Sequence, residues 1–300
     1  MKSHRLPSLL LVLAVIFLPI LGNAQGSLSY WVNPSTGSDS NSGSQSAPFQ
    51  HIAYAWSVAQ ANNLNNQATI VNLDAGTYRE SVTMNAQNGA TSAVVTFQPA
   101  SGATGQVIWS GGTLYTGWSV YSGNSSIYTH AWTNDYPVCA QVSGCTSYLQ
   151  EEIMLHQEMV TVNGSVLTQV LSLTQMLYPG TFYVDNTTST IYVWPPSGTN
   201  MSTATVDIPS QSSLLTINNV SNLVFDGIVF QYANSCRSNA AVTVNSGSFI
   251  TFDADTFQWN NGQGIAINNP AINVTVENST SNFNGDSGFQ SSQTVGLQWT

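Results

Sequence analysis

Three acidic residues close the same short pattern. Asp226, Asp253 and Glu277 end the runs LVFD, ITFD and VTVE. Strands stacked in register would set such carboxylates about 4.8 Å apart. Like charges that close resist ionisation or attract a cation, which makes the column a candidate calcium site. Asp255 follows Asp253 by two residues and shares its face if the segment is extended. Carboxylates about 5–10 Å apart are what glycosidic hydrolysis uses, one as acid and one as base or nucleophile. Asp253 and Asp255 are therefore the candidate catalytic pair. The competing reading is a set of solvated corners with the side chains splayed apart. Asp286, in NGDSG, reads as a turn residue.

Other polar groupings are less pointed. Asp74, Arg79 and Glu80 fall within VNLDAGTYRE. Adjacent charges of this kind form a solvated turn more often than a site, the alternative being Arg79 holding a sugar or a carboxylate. His51, His130 and His156 have no metal spacing with one another. His156 and Glu158, in LHQEMV, would face one way on a strand. The sequence has no serine nucleophile elbow, phosphate loop or dinucleotide fingerprint.

The elements that would position these groups repeat. LVFDGIVFQYANS, ITFDADTFQWNNG, VTVENSTSNFNGD and LQW begin at Leu223, Ile250, Val274 and Leu297. In these units Phe225, Phe252, Val276 and Trp299 correspond, as do Tyr232, Trp259 and Phe283. A unit this short suits one turn of a parallel β-solenoid, whose coils bury their apolar faces only by stacking. Phe225, Phe252 and Val276 should then stack inward, with Asn and Gly at the corners. Upstream, HIAYAWSVAQANN has helical spacing, and beyond residue 68 the runs are of β type. Between 111 and 207 the period is lost. Segments such as TFYVDNTTSTIYVWPP read as hairpins longer than solenoid rungs.

YWVNPSTGSDSNSGSQSAPFQHIAYAW followed by DAGTYRE resembles the opening of secreted right-handed parallel β-helix proteins, the pectate-lyase-like superfold of polysaccharide lyases and glycoside hydrolases. The resemblance covers residues 30–80 and the repeats from 220 onward. It implies that the short helix caps the solenoid and that the Gly-Thr-Tyr turn marks an early coil. EMVTVNGSVLTQV and PGTFYVD resemble β-helix glycosidase-like proteins with an inserted β-sandwich, β-xylosidases among them. The expected architecture is thus all-β: a right-handed parallel β-helix with a capping helix and a β-rich insertion. Its parts are a signal peptide over 1–24, the cap and first coils over 25–110, the insertion over 111–207 and further coils over 208–300. The last coil stops at Trp299-Thr300 without a cap, so more coils, and catalytic groups with them, are expected beyond it.

Charge narrows the partners. Lys2 and Arg5 flank LPSLLLVLAVIFLPILG, a signal-like leader with cleavage expected near Ala24; an uncleaved anchor is the rival reading. The rest of the chain has Arg79 and Arg237 as its cations against all 14 acidic residues. Such a surface disfavours nucleic acid and anionic membrane, and no later segment is apolar enough to span one. The expected location is outside the cell, in the periplasm or on the cell surface. The expected partner is a polysaccharide or oligosaccharide, and a full-length chain is expected to be a monomer. Cys139 and Cys145 would close the small loop CAQVSGC as a disulfide in an exported protein, leaving Cys236 over.

The favoured function is hydrolysis of glycosidic bonds by paired carboxylates. The alternatives are a polysaccharide lyase using a basic residue and calcium, and a non-catalytic carbohydrate-binding or adhesion solenoid. The family's lyases use Lys or Arg as base, and the scarcity of both argues for hydrolysis.

Overall fold

The structure, a computed structural model, describes residues 26–134, 136, 139, 152–292 and 295–300. The expected leader and Cys145 lie outside the described residues. The described chain is mostly β, with one α-helix, Ile52–Leu64. Three of its sheets are parallel, one of seven strands and two of five. The chain visits them in turn. Leu223–Asp226 lies in the first sheet, Ile228–Gln231 in the second and Ala240–Val244 in the third; Ser248–Asp253 then returns to the first.

Alternation decides which side chains face the core. In Leu223–Asp226 the first and third residues are buried and the other two are not. Phe225 pairs with Phe252, and Phe252 with Val276. The Phe97, Phe225 and Phe252 rings stack at centroid distances of 5.2 and 5.0 Å. Trp109, Phe230 and Phe257 form a second ladder, at 5.5 and 5.3 Å. Burying each of these rings contributes about 1.5–3 kcal/mol.

The turns between strands are left-handed and recur from one passage through the sheets to the next. Asn222, Phe249 and Asn273 have φ of 61°, 57° and 53°; Gly227, Ala254 and Asn278 have 67°, 53° and 50°. Tyr232, Trp259 and Phe283 have 62°, 52° and 54°. Asn and Gly suit that region, whereas an aromatic residue there costs about 1–2 kcal/mol. Ring stacking offsets part of that cost: Trp259 and Phe283 lie 4.3 Å apart.

The helix covers one end of this core. Ile52, Ala55, Trp56 and Ala59 are buried against it. The first helical turn has no acidic residue of its own. Glu80 supplies the cap from the connection between Gly76–Tyr78 and Val82–Asn85, its carboxylate accepting from Ile52 N at 2.8 Å and Ala53 N at 3.0 Å.

Residues 112–209 leave this circuit after Val107–Ser110 and return to it at Leu215–Asn218. Their described strands pair among themselves, in a four-stranded antiparallel sheet and a five-stranded, mostly antiparallel one. Trp132, Val160, Phe182, Ile191 and Ile208 form a hydrophobic cluster of their own. The parallel pairing continues across the gap, because Val107–Ser110 pairs with Gly76–Tyr78 on one side and Ile228–Gln231 on the other. A covalent tie joins the two parts: Cys139 is bonded to Cys236, not to Cys145. Closeness in sequence is overridden because the fold brings Cys139 to a coil corner, with a Cα–Cα distance of 5.6 Å to Cys236.

Candidate functional site

The acid column forms in register but gathers no metal site. Asp226 pairs with Asp253, and Asp253 with Glu277. Partial burial, and then the Asp253 charge, push the Asp226 carboxyl above its ordinary value. Among the described residues, however, no three His, Cys, Asp or Glu side chains converge to hold a metal ion. One carboxylate per strand, spaced by the sheet, leaves the calcium reading of Asp226, Asp253 and Glu277 without a coordination shell. Asp253 Oδ1 instead accepts from Asn278 Nδ2 at 2.8 Å.

Asp253 and Asp255 do not share a face. Ala254, in the left-handed region, turns the chain between them. Asp255 points inward and is 1% exposed, its Oδ1 accepting from Ile228 N at 2.7 Å. Its other oxygen has no partner. Burial holds its carboxyl well above the usual carboxylate range, and the charges of Asp226 and Asp253 add to the effect. Asp255 is turned into the interior and Asp253 is not, so the two aspartates are not a catalytic pair.

The polar groups that do converge lie where the inserted sheets meet the coils. Arg79 turns away from Glu80 and crosses this junction. Its Nη1 lies 2.7 Å from Asp207 Oδ2 and donates to Gly112 O at 2.8 Å. Asp207 is 6% exposed, and its Oδ1 has no partner. A Cβ on Gly112 would stand 1.8 Å from that oxygen, so the approach needs glycine there. Burial, and then the Asp207 charge, raise the pKa of the Tyr232 hydroxyl.

A cleft of about 240 Å³ is lined by His156, Glu158, Gln169, Arg237, Asn261 and Gly285, among others. Glu158, its side chain 2% exposed, has its Oε2 3.1 Å from His156 Nδ1 and accepts from Gln169 Nε2 at 3.1 Å. Arg237, which also lines the cleft, has its Nε 3.3 Å from Asp286 Oδ1. Asn261 Nδ2 donates to His156 O at 3.3 Å and so ties the two walls together. Cys139, bonded to Cys236, lines the same cleft. Glu158 thus lines the cleft directly, and Asp286 is linked to it through Arg237. The sequence pointed to His156 and Glu158 as neighbours on one face. Nothing in it pointed to Asp207, or to Asp286 as more than a turn residue.

Two solved structures are similar to this chain. One, described as "Glycoside hydrolase", superposes with a TM-score of 0.62 at 13% identity, covering 84% of this chain and 65% of that one. The other is the structure of XylC in complex with xylose, with a TM-score of 0.60 at 13% identity, covering 86% of this chain and 54% of that one. The likeness is one of fold. This chain spans less than two thirds of the length of either neighbour. No family model matches the sequence, and no curated protein matches it.

Proposed function

We propose that the chain is an exported carbohydrate-active protein that hydrolyses glycosidic bonds in the junction cleft. In this reading the three parallel sheets are the faces of a right-handed parallel β-helix, the helix is its cap and residues 111–207 are an inserted β-rich unit. The repeating circuit through the sheets and the fold likeness to glycoside hydrolases support the architecture. The signal-like leader supports export.

The observation that carries the function is a cleft lined by the carboxylate of Glu158 and by Arg237, with Asp286 paired to Arg237 and His156 beside Glu158. Two such carboxylates serve a glycosidase. One protonates the leaving oxygen, and the other attacks the anomeric carbon or activates a water. Lysis is less well served. Arg237 is the cation lining the cleft, and a guanidinium paired with Asp286 stays charged and makes a poor base. Because XylC was solved with xylose, a pentose-bearing neutral glycan is the first substrate to try.

Product analysis tests this reading. Neutral oligosaccharides should gain reducing ends without forming unsaturated sugar, and a chelator should leave the rate unchanged. Unsaturated, ultraviolet-absorbing products from a uronate polymer would establish the lyase instead. Binding without turnover would establish the adhesion solenoid.

A further inference from the structure

A second cavity, of about 300 Å³, opens between the helix Ile52–Leu64, the segment 86–92 and the corner 219–222. That corner leads from the third sheet into the first, whereas the junction cleft lies after the second. The two sites share no lining residue.

The cavity floor is apolar: Trp56, Val95, Val220 and Leu223 are all buried. Its wall is firmly tied. Asn63 Oδ1 accepts from Thr91 N at 2.9 Å, and Asn63 Nδ2 donates to Ala93 O at 2.6 Å. Gln60 Nε2 donates to Asn85 O at 2.6 Å. The rim differs. Among the described residues the side chains of Gln87, Ser92, Asn219 and Asn222 make no hydrogen bond. None of the residues lining the cavity is titratable.

We propose that this cavity binds one pyranose ring of a neutral glycan, as an anchoring site separate from the junction cleft. An indole and aliphatic floor matches the C–H face of a pyranose. The unused amides and hydroxyl match its ring of hydroxyls, each able to donate and accept. The absence of charge disfavours phosphates, uronates and metal ions, which would be desolvated there without a counter-charge. The volume is at the small end of the range for small-molecule pockets, about 300–1,000 Å³, and suits a single ring. This inference does not depend on hydrolysis in the junction cleft.

Calorimetric titration of the full chain with xylotriose and cellotriose, and with trigalacturonate as the charged control, tests it. At least one neutral trisaccharide should bind and the uronate should not. Combining Gln87→Ala with Asn222→Gly, which keeps the left-handed corner, should weaken that binding about tenfold or more. Ser92→Trp, an exposed change at the cavity mouth, should block it even if the double variant folds poorly. Glu158→Gln, in the other cleft, should leave it intact. Binding unaffected by Ser92→Trp, binding abolished by Glu158→Gln, or no neutral saccharide bound at all would overturn the proposal.

Discussion

Arg79 Nη1 stands 2.7 Å from Asp207 Oδ2 and joins a coil of the parallel stack to the strand Val206–Pro209 of the inserted sheets. Asp207 is nearly buried, and its second oxygen has no partner, so the carboxylate depends on this guanidinium. Arg79→Met should destabilise the protein by about 2–4 kcal/mol in urea denaturation, because it strands a buried charge. Adding Asp207→Asn should recover part of the loss. If Arg79→Met were as stable as the parent, the pair would be only a surface contact.

The interior ladder sets a contrast with the corners. Phe252 is fully buried between neighbouring rungs, whereas Phe283 is 69% exposed. Phe252→Ala should cost about 3–5 kcal/mol, and Phe283→Ala less than about 1 kcal/mol. Comparable losses at both sites would contradict the inward register.

Asp255 should make stability depend on pH. Its folded-state pKa is raised above the unfolded value, by burial first and then by neighbouring carboxylates. The stabilisation linked to its proton is complete below the unfolded value of about 3.9 and fades as pH rises towards the folded one. Asp255→Asn keeps a neutral side chain at every pH. Its stability relative to the parent should therefore improve steadily from about pH 4 towards neutrality. A difference that does not change with pH would show that Asp255 ionises freely.

The disulfide joins Cys139 to Cys236 across 97 residues of sequence. Non-reducing peptide mapping should recover Cys139 linked to Cys236. Cys236→Ser should lower stability by about 2–5 kcal/mol. Recovery of a Cys139–Cys145 peptide would reverse the assignment.

The ladders were legible in the sequence because strands paired in parallel register repeat the same apolar pattern. Phe225, Phe252 and Val276 share a register that no other element type explains as simply. The correspondence of Tyr232, Trp259 and Phe283 was visible too, though not that these aromatics occupy left-handed corners. Local reasoning failed where one residue changes the direction of the chain. Ala254 carries no turn signal, yet its positive φ sends Asp255 inward and undoes its pairing with Asp253. It failed again where contacts span long separations. Arg79 with Asp207, Glu80 with the helix, and Cys139 with Cys236 are made by the packing of coils and insertion, which leaves no trace in spacing.

The central claim is that Glu158 works in a glycan-cleaving cleft. The most direct measurement is the initial rate of aryl glycoside hydrolysis, a β-xyloside first, by the parent and by Glu158→Gln, with folding of both checked by circular dichroism. The parent should turn over, and the variant should lose about 10²–10⁴-fold in rate with its fold unchanged. A well-folded Glu158→Gln variant that hydrolyses as fast as the parent would contradict the account.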